Sequence, residues 1–348
     1  MDGHSLCLRE AAHRAGIVTA VSPARLWNDA DPLCAGLRLT IGAKNFYYRE
    51  QRLSWAAADG GPGEPINGTA HALLRNKHRT KAVLAQAGIP VPPGAVFASS
   101  DLERALLYAA EMPGEVCVKP NTGSLGDLVF PALRHATEIF DACVAVATCH
   151  DELLIERSVS GEVWRFFFVR PAIVGMKLSR PANVVGDGKS TIAALIDAKH
   201  SERRRRRVPG HSDIPAGHAR DFMLTRQGWD LEAIVPAGRR VFLHPASNGA
   251  MGADSITDAD ALHPGYAEWI RAACAAVPDL LFSAADVVIQ DPKAAPAAVP
   301  TMENFWVLEL NASPGVQPFH YPWEGPAQDV CGALIALLCE LAAADRAP

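Results

Sequence analysis

Apolar residues recur along this chain with two different periods, and the changes between them mark its elements. Residues 6–15 carry a helical spacing that stops at Gly16, with a short strand predicted over 17–21. Residues 37–48 read as one or two strands around Gly42, and 60–63 (Gly-Gly-Pro-Gly) as a loop. A helix over 77–87 is closed by Gly88 and Pro90. Ser100-Asp101-Leu102-Glu103 has capping-box spacing and opens the next helix. A strand at 115–119, a glycine-containing loop at 120–127, a helix near 136–149 and a strand at 152–156 follow. Residues 164–169 and 172–178 are rich in strand formers, with Phe166, Phe167 and Phe168 read as core. The rest predicts helices at 191–200 and 266–277, strands at 285–290 and 305–310, and a Pro/Ala-rich insertion at 291–300. A last amphipathic helix is expected to start at Pro326. The pattern divides into units 1–75, 76–160 and 161–348.

Composition narrows the field. With 49% hydrophobic and 20% charged residues, 348 residues can bury a core, which excludes a disordered chain. Lysine plus arginine number 33 against 38 acids, a net charge of −5, which argues against a nucleic-acid-coating protein. No apolar run reaches the ~20 residues that span a bilayer, and no secretory signal is visible, so a cytoplasmic protein is expected. None of the eight cysteines forms a Cys-x-x-Cys pair; they are read as small core residues in a reducing compartment.

The sharpest chemical signal lies near the end. Glu309 and Asn311 stand two apart on a predicted strand and so project to one side, and Asp286 sits in a neighbouring apolar strand where an unpaired carboxylate is expensive. Two carboxylates and an amide oxygen make a hard oxygen set suited to Mg²⁺; local pairing of each acid is the alternative. Lys119 ends a strand and precedes Asn121-Thr122-Gly123-Ser124-Leu125-Gly126, small residues that let backbone amides approach phosphate. No Walker A sequence or complete Gly-x-Gly-x-x-Gly is present; Gly186 and Gly188 are read as a hairpin or a turn before a helix. The arginine run 203–207 is a solvated helix end or a basic flap that meets an anion; spacing alone leaves both open.

Taken in order, these segments resemble the ATP-grasp carboxylate–amine ligases, and most resemble the ATP-grasp modules of cyanophycin synthetase and bifunctional glutathione synthetase. The resemblance rests on Asn76-Lys77 with Thr80-Lys81, Val116-Cys117-Val118-Lys119-Pro120 and Leu154-Ile155-Glu156. It continues through Pro181-Ala182-Asn183-Val184-Val185-Gly186-Asp187-Gly188-Lys189-Ser190, Asn248 with Gly252-Ala253-Asp254-Ser255, Asp286, and Leu308-Glu309-Leu310-Asn311-Ala312-Ser313-Pro314-Gly315. It implies an α/β (α+β) ATP-grasp fold of three subdomains with nucleotide between two β-sheets. By the same resemblance Lys77 and Lys119 would hold the ATP phosphates, and Gly123, Ser124 and Gly126 would belong to a closing loop. Glu156 would meet the adenine, and Asp286, Glu309 and Asn311 would hold two Mg²⁺, with Mn²⁺ as a substitute. Arg165 and Arg180 would face the phosphates or the acyl-acceptor region, and Arg180, His244 and Asn248 would be the catalytic candidates.

Two positions depart from the family pattern. Glu162 stands one place early for a ribose contact, and His244 occupies the place of an arginine four residues before Asn248. Arginine would be charged at any pH; histidine is charged only in part near neutrality. The activity implied is ATP-dependent amide or peptide bond formation through an acyl phosphate, joining a carboxylate and an amine that are amino acids or a short peptide. A phosphotransferase and an ATP-binding regulatory protein with a degraded acyl site are the alternatives. No nucleic-acid or membrane partner is expected, and a homodimer is the default assembly.

Overall fold

The computed structural model describes residues 2–27, 35–123, 128–296 and 304–344. After helix α1 (Gly3–Arg14), strands β1 (Val18–Ser22), β2 (Gly36–Ile41), β3 (Lys44–Arg49), β4 (Arg52–Ala56) and β5 (Pro62–Pro65) form an antiparallel meander in chain order. The tight turn at Gly42, with φ +58°, makes β2 and β3 a hairpin. The expected loop at 60–63 instead runs into β5, because Arg52 and Ser54 give its backbone a strand edge to follow. Helices α2 (Gly68–Leu74) and α3 (Lys77–Gln86) lead onward, the latter capped by Asn76, whose Oδ1 accepts from Arg79 N at 2.9 Å.

The middle unit holds β6 (Gly94–Ala98), α4 (Leu102–Glu111), β7 (Val116–Pro120), β8 (Phe130–Leu133), α5 (Ala136–Cys149) and β9 (Glu152–Arg157), with sheet order β6-β9-β7-β8. Its core joins Ala105 and Ala109 of α4 to Ile139, Cys143 and Val146 of α5 over Val118 and Ile155. The capping box expected at Ser100 does not form: Asp101 is the N-cap and makes no side-chain cap bond.

The last unit carries β10 (Glu162–Val169), β11 (Ala172–Arg180), β12 (Asn183–Val185), α6 (Ile192–Arg206), α7 (His218–Arg226), β13 (Arg240–Phe242), β14 (Asp254–Ile256), α8 (Gly265–Ala275), β15 (Phe282–Ile289), β16 (Phe305–Asn311), α9 (Gln317–His320) and α10 (Val330–Ala343). Its main sheet runs β14-β11-β10-β15-β16, all antiparallel, and β12 pairs with β13. One face of the main sheet, with Trp164, Phe166, Leu178, Val287 and Val307, packs on Tyr266, Ile270 and Cys274 of α8. The other face is apolar at one end, where Phe167 and Ala284 meet Leu8 of α1 and Leu334 and Leu338 of α10. That core also contains Leu37, Leu39 and Phe46, so the N-terminal sheet and the last helix are buried together. The remainder of the same face is polar and carries the candidate site.

One further expectation meets a correction, one finds the helix end it named, and one holds in part. The last helix starts at Val330 with Asp329 as its N-cap, since Asp329 Oδ1 accepts from Gly332 N at 2.9 Å; Pro326 lies before it. The arginine run is the C-terminal turn of α6, closed by Arg207 in a left-handed conformation. Five of the described cysteines are buried as expected, but Cys149 and Cys339 are exposed. Among the described residues no helix is long and apolar enough to cross a membrane.

Candidate functional site

Strand register builds the site. Arg165 on β10 stands opposite Lys177 on β11 and opposite Asp286 on β15, and Asp286 stands opposite Glu309 on β16. Lys177, Arg165, Asp286 and Glu309 therefore form one row across four neighbouring strands on one sheet face. Asn311, two residues on from Glu309, joins it: its Nδ2 lies 3.2 Å from Asp286 Oδ2 and 3.3 Å from Glu309 Oε1. The expected trio Asp286, Glu309 and Asn311 is thus brought together.

Asp286 is not a bare carboxylate. Arg165 donates from Nε and Nη2 to its two oxygens, both at 2.6 Å. Burial raises the Asp286 pKa, but the charge and hydrogen bonds of Arg165 outweigh it and hold the carboxyl below its ordinary value. Arg165, expected to face phosphates directly, spends its fork on this pair. Glu309 is more open, with its side chain 31% exposed and Oε2 4.0 Å from Lys77 Nζ.

The second component comes from the middle unit. Glu156, expected at the adenine, is 2% exposed and ion-paired to both Lys81 and Lys119. Its place depends on Gly94, the cross-strand partner on β6, where any Cβ would sit 2.6 Å from Glu156 Cβ. Burial pushes the Glu156 pKa up, while the two lysines' charges and hydrogen bonds pull it down further. Burial lowers Lys81 to about 8 despite that carboxylate. Two ammoniums share one carboxylate, so this buried cluster carries an excess positive charge suited to a polyphosphate.

Lys77 links the two components. Its Nζ donates to the carbonyl of Gly123 at 2.9 Å, its backbone N–H donates to Asn121 O at 3.0 Å, and the same ammonium faces Glu309. Ser124 and Gly126 lie outside the described residues.

Other expected residues lie elsewhere. Glu162 is exposed at the start of β10, and strand alternation puts Val163, not Glu162, on the face of Arg165. Arg180 ends β11 opposite Asp254, on the face opposite Lys177 and Ser179. His244 closes a local turn, its Nδ1 accepting from Ala246 N at 3.1 Å. Asn248 caps the short turn after it, its Oδ1 accepting from Ala250 N at 2.9 Å. Sequence reading missed Lys81 and Lys177. Lys81 had a signal, since it stands four residues after Lys77 on one helix face.

A lysine-bearing sheet of the middle unit facing an acid-bearing sheet of the last unit, bridged by Lys77, defines an ATP-grasp fold. A bifunctional glutathione synthetase from Pasteurella multocida superposes with a TM-score of 0.64 at 23% identity, covering 98% of this chain and 44% of that one. In sequence the chain is 31% identical over 271 residues to the glutathione biosynthesis bifunctional protein GshAB of Streptococcus mutans, a match covering 76% of this chain and 35% of the relative. It is 30% identical over 284 residues to cyanophycin synthetase of Synechocystis sp., covering 79% and 31% respectively. No protein-family model matches. The chain belongs to the ATP-grasp ligase family, and it spans about a third of the length of these relatives.

Proposed function

We propose that this chain is an ATP-dependent ligase that joins a carboxylate to an amine, forming an amide through an acyl phosphate, with amino-acid-like substrates. The observation that carries the reading is the row of Arg165, Asp286 and Glu309 ending 4.0 Å from Lys77, with the Lys81–Glu156–Lys119 cluster in the adjoining sheet. A carboxylate is a poor acyl donor because oxide would have to leave; phosphorylation supplies a better leaving group, which an amine then displaces.

The residues fit what that chemistry demands. Lys77 and Lys119 offer positive charge toward a polyphosphate, and Lys77 also ties down Gly123 beside it. Asp286, Glu309 and Asn311 are the oxygen donors available to divalent ions, in agreement with a hard cation such as Mg²⁺ or Mn²⁺. When bound, such ions would neutralise charge on the β- and γ-phosphoryl oxygens and fix the direction of transfer. Arg165 holds Asp286 ionised and aimed, so the acid pair is preorganised before any ligand arrives.

The test is acid-dependent ADP release by the wild type and by Glu309→Ala. Glu309 is partly exposed and its contact with Lys77 is long, so the variant should still fold, with only a small fall in melting temperature, while turnover falls at least about 100-fold, the loss expected for one well-aimed electrostatic group. ADP release at the wild-type rate from the variant would remove the assignment. Release that needs acid but ignores every amine would replace the ligase by a phosphotransferase.

A further inference from the structure

The row on the main sheet has a direction. Its nucleotide end is Glu309, beside Lys77. Three strand steps of about 4.8 Å separate β16 from β11, so Lys177 stands roughly 14 Å away at the other end, past Arg165. Lys177 is 5% exposed. Its Nζ donates to Ser179 Oγ at 2.6 Å and lies 6.0 Å from the ring centre of Phe319. Every other buried lysine of the described residues faces a carboxylate: Lys81 and Lys119 face Glu156, and Lys77 faces Glu309. Lys177 has none. The nearest, Asp286, already gives both oxygens to Arg165.

Its other neighbours add no negative charge. Arg165 is a second cation, and burial followed by that cation lowers the Lys177 pKa to about 7. His211, close enough to feel the Lys177 charge, donates from Nε2 to the Tyr321 carbonyl at 2.8 Å and adds no negative charge either. A buried ammonium without a counter-charge is costly, and one bound oxyanion removes that cost.

We infer that Lys177 binds the carboxylate of the acyl-donor substrate, the group that receives the phosphoryl. The inference rests on the ligase reading and identifies the end of the row at which the acid enters. In the step concerned, a carboxylate oxygen forms a bond to the γ-phosphorus while the bond from that phosphorus to the β–γ bridging oxygen breaks, and ADP leaves with the electron pair. Lys177 moves no proton here; it supplies the charge that holds the attacking oxygen past Arg165.

The experiment uses the whole chain with ATP, Mg²⁺ and hydroxylamine as the amine. The proteinogenic amino acids and the dipeptides of glutamate and aspartate serve as acids, and hydroxamate is the product read. Lys177→Met, nearly equal in volume, should raise KM for the acid on the order of 100-fold and leave MgADP affinity by calorimetry unchanged. Lys177→Arg should recover part of the loss. Without any ligand, Lys177→Met should raise Tm by about 2–4 °C, since it removes an uncompensated buried charge. An acid KM that does not move, a loss of MgADP affinity with the acid KM intact, or a lowered Tm would each overturn the assignment while leaving the ligase reading in place. A wild type that forms no hydroxamate and no acid-dependent ADP with any of these probes would overturn the ligase reading, and this subsite with it.

Discussion

Arg165 and Asp286 are direct cross-strand partners on β10 and β15, joined by two parallel hydrogen bonds of 2.6 Å. The guanidinium fork matches the carboxylate in shape, so one residue fixes both the charge state and the direction of the other. The pair is largely buried, with side-chain exposures of 28% and 11%.

Removing one partner should therefore cost more than removing both. Arg165→Met leaves Asp286 as a buried charge with no cation paired to it and should lower stability in urea unfolding by about 3 kcal/mol. Adding Asp286→Leu to that variant should recover most of the loss, although both proteins would lack ATP turnover. Equal destabilisation by the single and double variants would mean that the pair does not act as a unit.

The arginine run gives a contrast within five successive residues. Arg203 is 4% exposed and donates to Asp254 Oδ1 at 2.9 Å, while Lys199 reaches Asp254 Oδ2 at 2.7 Å. Arg205 points outward and pairs only with Glu202. Asp254→Asn should lower Tm by several degrees, because one buried and one half-buried cation lose their carboxylate. Arg205→Ala should leave Tm unchanged. A similar fall from both, read by differential scanning calorimetry, would contradict this division of roles.

What the sequence disclosed and what it hid follow from the range of the interactions. Asp286, Glu309 and Asn311 were legible because two-residue alternation puts two of them on one side, and because a carboxylate in an apolar strand calls for a reason. The helix at 136–149 matched its periodicity to the residue. The ion pairs of Glu156 were hidden because its partners Lys81 and Lys119 lie 75 and 37 residues away, and no local pattern records a pairing at that distance. Glu162 and Arg180 stand off the row of Arg165 and Lys177 by single-residue parity: one step along a strand turns a side chain to the other face. Lys177 was passed over inside a segment read only as strand; its one sequence signal was a lone cation among β-forming neighbours.

The Lys81–Glu156–Lys119 cluster has a pH dependence whose sign can be worked out. The Glu156 carboxyl is held below its ordinary value of 4.5 in the folded protein. Its contribution to stability is therefore fully present above that value and is lost as pH falls through the lowered one. Lys81 behaves in the opposite range: lowered to about 8 from 10.5, it binds fewer protons when folded, so its term makes stability rise with pH between those two values. Glu156→Gln removes the carboxylate and leaves two buried ammoniums, at a cost of about 3–5 kcal/mol near neutral pH. The stability gap between wild type and Glu156→Gln should be largest between the carboxylate range and neutrality, and should close as pH falls below 4.5 and wild-type Glu156 takes up its proton. It should also narrow as pH rises toward 8, because without Glu156 to raise it Lys81 of the variant sheds its proton below the wild-type value of about 8. A gap independent of pH would show that Glu156 stabilises the protein by packing alone.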